Sequence, residues 1–291
     1  MLWRRKQADS TPASQNDVLA PAELRIKLDP GVFASKFECM LEAVEDQGGL
    51  PVFIESLTKK HELFARALDE TSLVTLGRDG RDALLETVFT ARRKLPDVFA
   101  KLELSEINAA IRELIYGTAP LSERMSAFVA IVPVVPSDDR AVKKANLKLH
   151  RAAWDFAAEL LHYRKPEQYP LLSRWVWDAN TVSGAMREFI AGNDTLRESP
   201  FDNRPETFEA VRQWMAEQLS TSGVYRDIPF LIDMVLGWAY ADYMRAMSSS
   251  MGLIEAEFGG KQDATEPMRK ILGIDLARRS GQSRVKRETV Q

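Results

Sequence analysis

Apolar residues recur at intervals of three and four through most of this chain, the period of one face of an α-helix. Only one run, Phe128 to Val135, has the β-branched composition of a strand. With no second strand-like run to pair with, it reads as a helix end passing into an extended linker at Val132 to Pro136. The chain is therefore expected to be all-α.

The stripes can be followed one by one. Phe33, Phe37, Met40, Leu41 and Val44 form the first, behind a turn at Pro30 and Gly31. Pro51 suits the first turn of a second helix that carries Phe53, Leu57, Phe64 and Leu68. Leu84, Val88, Ala91 and Leu95 form a third, which Pro96 stops. Leu104, Ile107, Ile111 and Leu114 form a fourth, with Ser105 as cap and Gly117 as stop. Ser137, Asp138 and Asp139 cap a long helix to about Tyr163, and the turn from Pro166 to Pro170 leads into another at Leu171 to Ile190. Phe208, Val211, Met215 and Leu219 mark the next; Asp227 to Met251 is the most apolar, and a short helix near Glu266 to Leu272 is the last. The expected architecture is a bundle-like assembly of about nine or ten helices. It divides into a flexible arm (1–24), a first helical half (29–134), a second (138–275) and a basic tail (276–291) whose five cations face only Glu288.

Composition enters where it excludes functions. A net charge of −3 over 291 residues is far from the field of a typical nucleic-acid binder, so any basic surface must be local. The lone Cys39 has no disulfide partner and is expected to be a small core hydrophobe. Met1 to Lys6 begins like a signal-peptide head, but the polar run Gln7 to Pro12 follows where an apolar one is needed, so a cytoplasmic protein is expected. The run Ile228 to Met247 contains Pro229, Asp233, Asp242 and Arg245, which suits a buried helix and not a membrane span.

Three histidines carry the search for chemistry. His61 falls on the stripe of Leu57 and Phe64, and His150 on that of Leu147 and Trp154, both as hydrogen-bonded core or core-edge residues. Glu159 and His162 have the Glu-x-x-His spacing of a di-iron helix, but such a site needs a second pair and two further glutamates. No metal or other cofactor is expected. Lys144, Lys148, Arg151, Asp155, Glu159 and His162 then read as a solvated face on which Arg151 pairs with Asp155. The start of that helix stays basic, because Arg140, Lys143, Lys144, Lys148 and Arg151 have no acid among them. With Arg164, Lys165 and Arg174 from the turn that follows, they form a candidate patch for phosphate, nucleic acid or an acidic partner.

That turn, Leu161 to Val176, has a helix, a Pro-x-x-Tyr-Pro element and a second apolar run packed with Tyr163, Tyr169, Trp175 and Trp177. Over about twenty residues it resembles the corresponding piece of helix–hairpin–helix proteins related to DNA glycosylases. Ser173 stands where that pattern has an acid, and the Gly-rich hairpin with its catalytic Asp is missing. The resemblance therefore implies at most nucleic-acid association, not base excision. Nucleotide loops and hydrolase elbows are absent as well, and Thr75 to Arg81 reads as a turn with Asp79 capping the next helix.

The Asp227 to Met251 helix is apolar on nearly all faces, so it is either central or part of an interface. Trp238, Tyr240, Tyr243, Met244 and Met247 are its candidate binding surface, and Asp233 and Asp242 need partners such as Arg245. The expected function is binding without catalysis: a helical accessory protein with a protein partner, homo-oligomers included. A nucleic-acid-associated module and a metal- or ligand-binding enzyme stand beside it as alternatives.

Overall fold

Asp29 accepts the amides of Gly31 and Val32 at 2.8 and 3.2 Å, and Pro30 presets φ behind it, so the first helix starts with its orphan N–H groups satisfied. The structure, a computed structural model, describes residues 19–193, 196, 198–250 and 263–275. Helix α1 (Pro30–Glu45) buries Phe33, Phe37, Met40 and Val44. Helix α2 (Leu50–Ala67) buries Phe53, Leu57 and Phe64 together with Lys60. Three short helices, α3 (Glu70–Val74), α4 (Arg78–Glu86) and α5 (Pro96–Phe99), lead to α6 (Leu104–Tyr116) and α7 (Leu121–Ala130). After the extended linker comes α8 (Arg140–Arg164), capped by Asp139, which accepts the Ala141 amide at 2.6 Å. A 3-10 turn (Ala185–Phe189), α9 (Pro205–Thr221), α10 (Ile228–Ser250) and α11 (Glu266–Ile271) complete the order. Among the described residues 62% are helical and no strand occurs; of 11 helices, 8 are 7 residues or longer.

Buried apolar side chains from both sides of the linker belong to one connected cluster. Helix α8 packs on α2, α6 and α7, while α10 packs on α1, α9, α11 and the 3-10 turn. Within the expected N-terminal arm, residues 1–18 lie outside the described residues. Leu19 and Leu24 pack on the core, and Ala22 donates its amide to the Glu206 carbonyl at 2.9 Å. The expected basic tail also lies outside the described residues.

Local competition for backbone hydrogen bonds moves several expected boundaries. Leu171 to Ile190 does not form an α-helix; within it only the 3-10 turn Ala185–Phe189 is helical. Asp178 accepts the amide of its neighbour Asn180 and donates its own amide to the Ser183 carbonyl, which closes a loop in place of a helical turn. Amides of Ala185 and Met186 then bond the carbonyls of Trp175 and Val176 at 2.9 and 3.0 Å. Gly184 allows this return: its φ is +121°, and a Cβ there would come 2.6 Å from the Val176 carbonyl oxygen. The Leu84 to Leu95 stripe is likewise not one helix. Helix α4 ends at Glu86, turns carry Val88 and Ala91 into the core, and Pro96 begins α5 where it was expected to end a helix. Glu103 and Gly77, not Ser105 and Asp79, hold the N-cap positions of α6 and α4, and both expected caps sit inside the first turn. Cys39 is exposed, because it lies on α1 off the Phe33, Phe37, Met40 and Val44 stripe.

Candidate functional site

Helix α8 leaves solvent and enters the core along its length. Its first turns carry exposed cations, whereas from Ala152 to Tyr163 only Trp154 escapes burial. The expected solvated face is therefore buried in its second half, where Asp155, Glu159 and His162 lie among apolar neighbours at 5%, 2% and 2% exposure. Each has found a partner on another element. Glu159 meets Lys60 of α2 at 2.6 Å. His162 faces two acceptors: Nδ1–H donates to the Tyr169 carbonyl at 2.8 Å, and one proton bridges Nε2 and Asp233 Oδ2, also 2.8 Å apart. Asp155 takes the Arg174 amide at 2.8 Å, not the side chain of Arg151 as the spacing suggested.

Burial sets the acidity of this line. It pushes Asp155 up to about 6, against the pull of the Arg174 amide and charge. It pushes Glu159 up to about 7, opposed chiefly by Lys60, and it pulls Lys60 down. The geometry favours the charged pair all the same. Lys60 Nζ donates to Glu159, to the Thr87 carbonyl at 3.1 Å and to the Leu272 carbonyl at 2.8 Å, which uses all three ammonium protons. Tyr163 lies under that ammonium, 3.9 Å from Nζ to the ring centre, and burial holds its hydroxyl well above the usual phenol range. Lys60 was missed in the sequence; the signal for it is a cation on an apolar stripe, three residues after Leu57 and four before Phe64.

Where α8 passes from solvent to core, two hollows meet. The first, of about 520 Å³, is lined by Trp154, Trp177, Phe208, His150, Asn180 and Asn203. The second, of about 370 Å³, brings Lys94 and Lys148 together with Asp155, Trp175, Tyr240 and Tyr243. Arg151 and Arg174 line both. Arg174 is bound to Asp178, whose carboxyl burial would raise but whose salt bridge holds it below the usual range. Arg151 has no salt bridge or hydrogen bond to any described residue. Trp175 and Trp177 are 4% and 1% exposed, and their indole N–H groups have no acceptor.

The expected basic patch is thus divided. Lys148, Arg151 and Arg174 converge on the cleft. Arg140, Lys143 and Lys144 stay on the outer turns of α8, where Lys143 meets Asp138 at 3.2 Å. Arg164 and Lys165 lie at the other end of a 25-residue helix, roughly 36 Å away at 1.5 Å per residue. There Arg164 donates to the Leu68 carbonyl and to the Tyr116 hydroxyl. On α10, Trp238 is 6% exposed, Tyr240 and Tyr243 line the cationic hollow, and Met244 and Met247 are 45% and 41% exposed. Asp242 pairs with Arg245 at 2.7 Å and with Lys36 at 3.2 Å. His61 bonds the Tyr163 carbonyl and His150 the Val132 carbonyl. Among the described residues no group of three or more His, Cys, Asp or Glu could hold a metal ion, and no helix is long and apolar enough to cross a membrane.

No protein-family model, curated protein or solved structure matches the chain.

Proposed function

We propose that this is a helical binding protein whose cleft on α8 takes a phosphate-bearing ligand. The observation that carries the reading is Arg151, which stands where the two hollows meet and makes no salt bridge to any described residue, although the carboxyls of Asp155 and Asp178 line the same hollow. A half-buried guanidinium loses hydration and recovers it best from an anion with two oxygens to offer. Lys94 and Lys148 make no ion pair and line the hollow beside it, so the anion would meet three cations at once. Of the functions the sequence suggested, this supports ligand or nucleic-acid binding over a purely apolar protein contact, since Trp238 lies in the core.

The test is calorimetric titration of the intact protein with inorganic pyrophosphate. Replacing Lys148 and Arg151 by Glu should abolish binding without unfolding the chain, because exposed or half-exposed charges contribute little to stability. Lys144→Glu, one turn outside the cleft, should weaken it only slightly. Affinity should also fall as salt rises. Equal losses at Lys144 and at Arg151 would show a diffuse surface field and overturn the reading.

A further inference from the structure

Resting on that reading, we infer that the ligand is a mononucleotide, its phosphate held by Lys94, Lys148 and Arg151 and its base in the hollow between Trp154 and Trp177. The two hollows differ in chemistry, and a mononucleotide has the same division. One is cationic. The other offers aromatic rings edged by a few polar groups, the way small-molecule sites combine area with orientation.

Those polar groups are the ones left over after the fold has used the rest. Trp154 donates its N–H to the Leu172 carbonyl at 3.0 Å, so what it can offer a ligand is its ring. Trp177 lines the same hollow, and its unpartnered indole N–H is buried beneath it. Asn203 Oδ1 accepts the Ala179 amide at 2.8 Å, which leaves its two amide protons. Asn180 Nδ2 points to Asp178 Oδ1 at 3.3 Å, which leaves its oxygen. Donors and an acceptor around a stacking face can read the edge of a heterocyclic base, and an acyl chain would leave them unpaired.

Charge argues against a polymer as the ligand. A nucleic acid needs a track of cations for successive phosphates, and Arg174 in the cleft and the arginines of the following segments are already engaged. Arg174 is held by Asp178, Arg204 by Asp202, and Arg212 by Glu209. Arg187 donates to the Val182 and Asn193 carbonyls. Arg140 and Lys144 make no ion pair either, but they stay on the outer turns of α8, so the cations that face the cleft suit one phosphate group. The hollows, about 520 and 370 Å³, are also of the size that small ligands occupy.

Equilibrium titrations with AMP, adenosine, inorganic phosphate and a single-stranded oligonucleotide separate the outcomes. AMP should bind at least about tenfold more tightly than phosphate or adenosine alone, the increment expected of base stacking. Trp154→Leu takes away the ring on which the base would stack and should remove most of that increment while leaving phosphate binding unchanged. Trp154 is only partly buried, so this variant should keep its fold. If AMP binds no better than phosphate, the mononucleotide is wrong and the phosphate cleft stands. An oligonucleotide that far outbinds AMP makes the ligand a polymer and overturns the inference. If none of the four binds, both readings fail.

Discussion

Lys60 shows how a single side chain can link three helices. It leaves α2, pairs with Glu159 of α8 and caps the carbonyl at the end of α11, with no solvent to share the charge. A buried pair of this kind is costly to break from one side, because the remaining charge has no partner. Lys60→Met should lower unfolding stability in urea by about 3 to 5 kcal/mol, and Glu159→Leu by a similar amount. The double variant should lose less than either single one, and additive losses would contradict a coupled pair. Asp155 makes a pH-dependent case. Its folded pKa of about 6 lies above the ordinary 3.8, so the folded chain holds this proton more tightly than the unfolded one. Its contribution to stability therefore decreases as pH rises from about 4 to 6, and above 6 the ionised group costs roughly 3 kcal/mol. Asp155→Asn keeps an acceptor for the Arg174 amide. Relative to wild type it should flatten that slope and be no less stable at pH 7.5, whereas an unchanged slope would assign the titration elsewhere.

At the scale of elements, helices that the chain can specify by itself were legible and those that depend on distant partners were not. Helices α1, α2 and α9 follow from apolar spacing of three and four, a proline in the first turn and, in α1, an aspartate cap. Segment 171–190 has comparable apolar content, yet the loop between Asp178 and Gly184 satisfies its backbone better than a helix would. Helix α8 was legible in its ends and misread in its middle, since nothing local says that Asp155 and Glu159 meet partners inside the protein. Its start gives a direct check. Asp139→Ala removes the acceptor for the Ala141 amide and should cost about 1 kcal/mol in thermal unfolding. Asp138→Ala, which removes only an exposed pair with Lys143, should stay within about 0.5 kcal/mol. Equal effects would mean that Asp139 does not cap. At α11 the chain turns through Gly273, whose φ is +70°, and a Cβ there would overlap the Thr87 carbonyl, so this glycine seals the Lys60 chamber.

The whole molecule joins both halves of the chain in one core, and the cleft exists only because of that joining. Lys94 precedes α5, Lys148 and Arg151 belong to α8, Arg174 follows it, and Tyr240 and Tyr243 come from α10. Lys148, Arg151 and Arg174 of this cationic set were visible as bases on one helix and the turn that follows it. Lys94 was invisible, because only the packing of the α4–α5 turns carries it to α8. The aromatic residues of the Leu161 to Val176 turn were read as packing that turn, which describes Trp177 but not the hollow beside it. The central claim is that this cleft, and no other surface, receives the anion. The most direct measurement is a two-dimensional nitrogen–proton spectrum of the tryptophan indoles, assigned by Trp→Phe variants and titrated with inorganic pyrophosphate. The Trp175 crosspeak should move saturably, and it should stay still in Arg151→Glu, while those of Trp214 and Trp238 stay still in both. Movement at Trp214 or Trp238 with Trp175 unchanged would contradict the account.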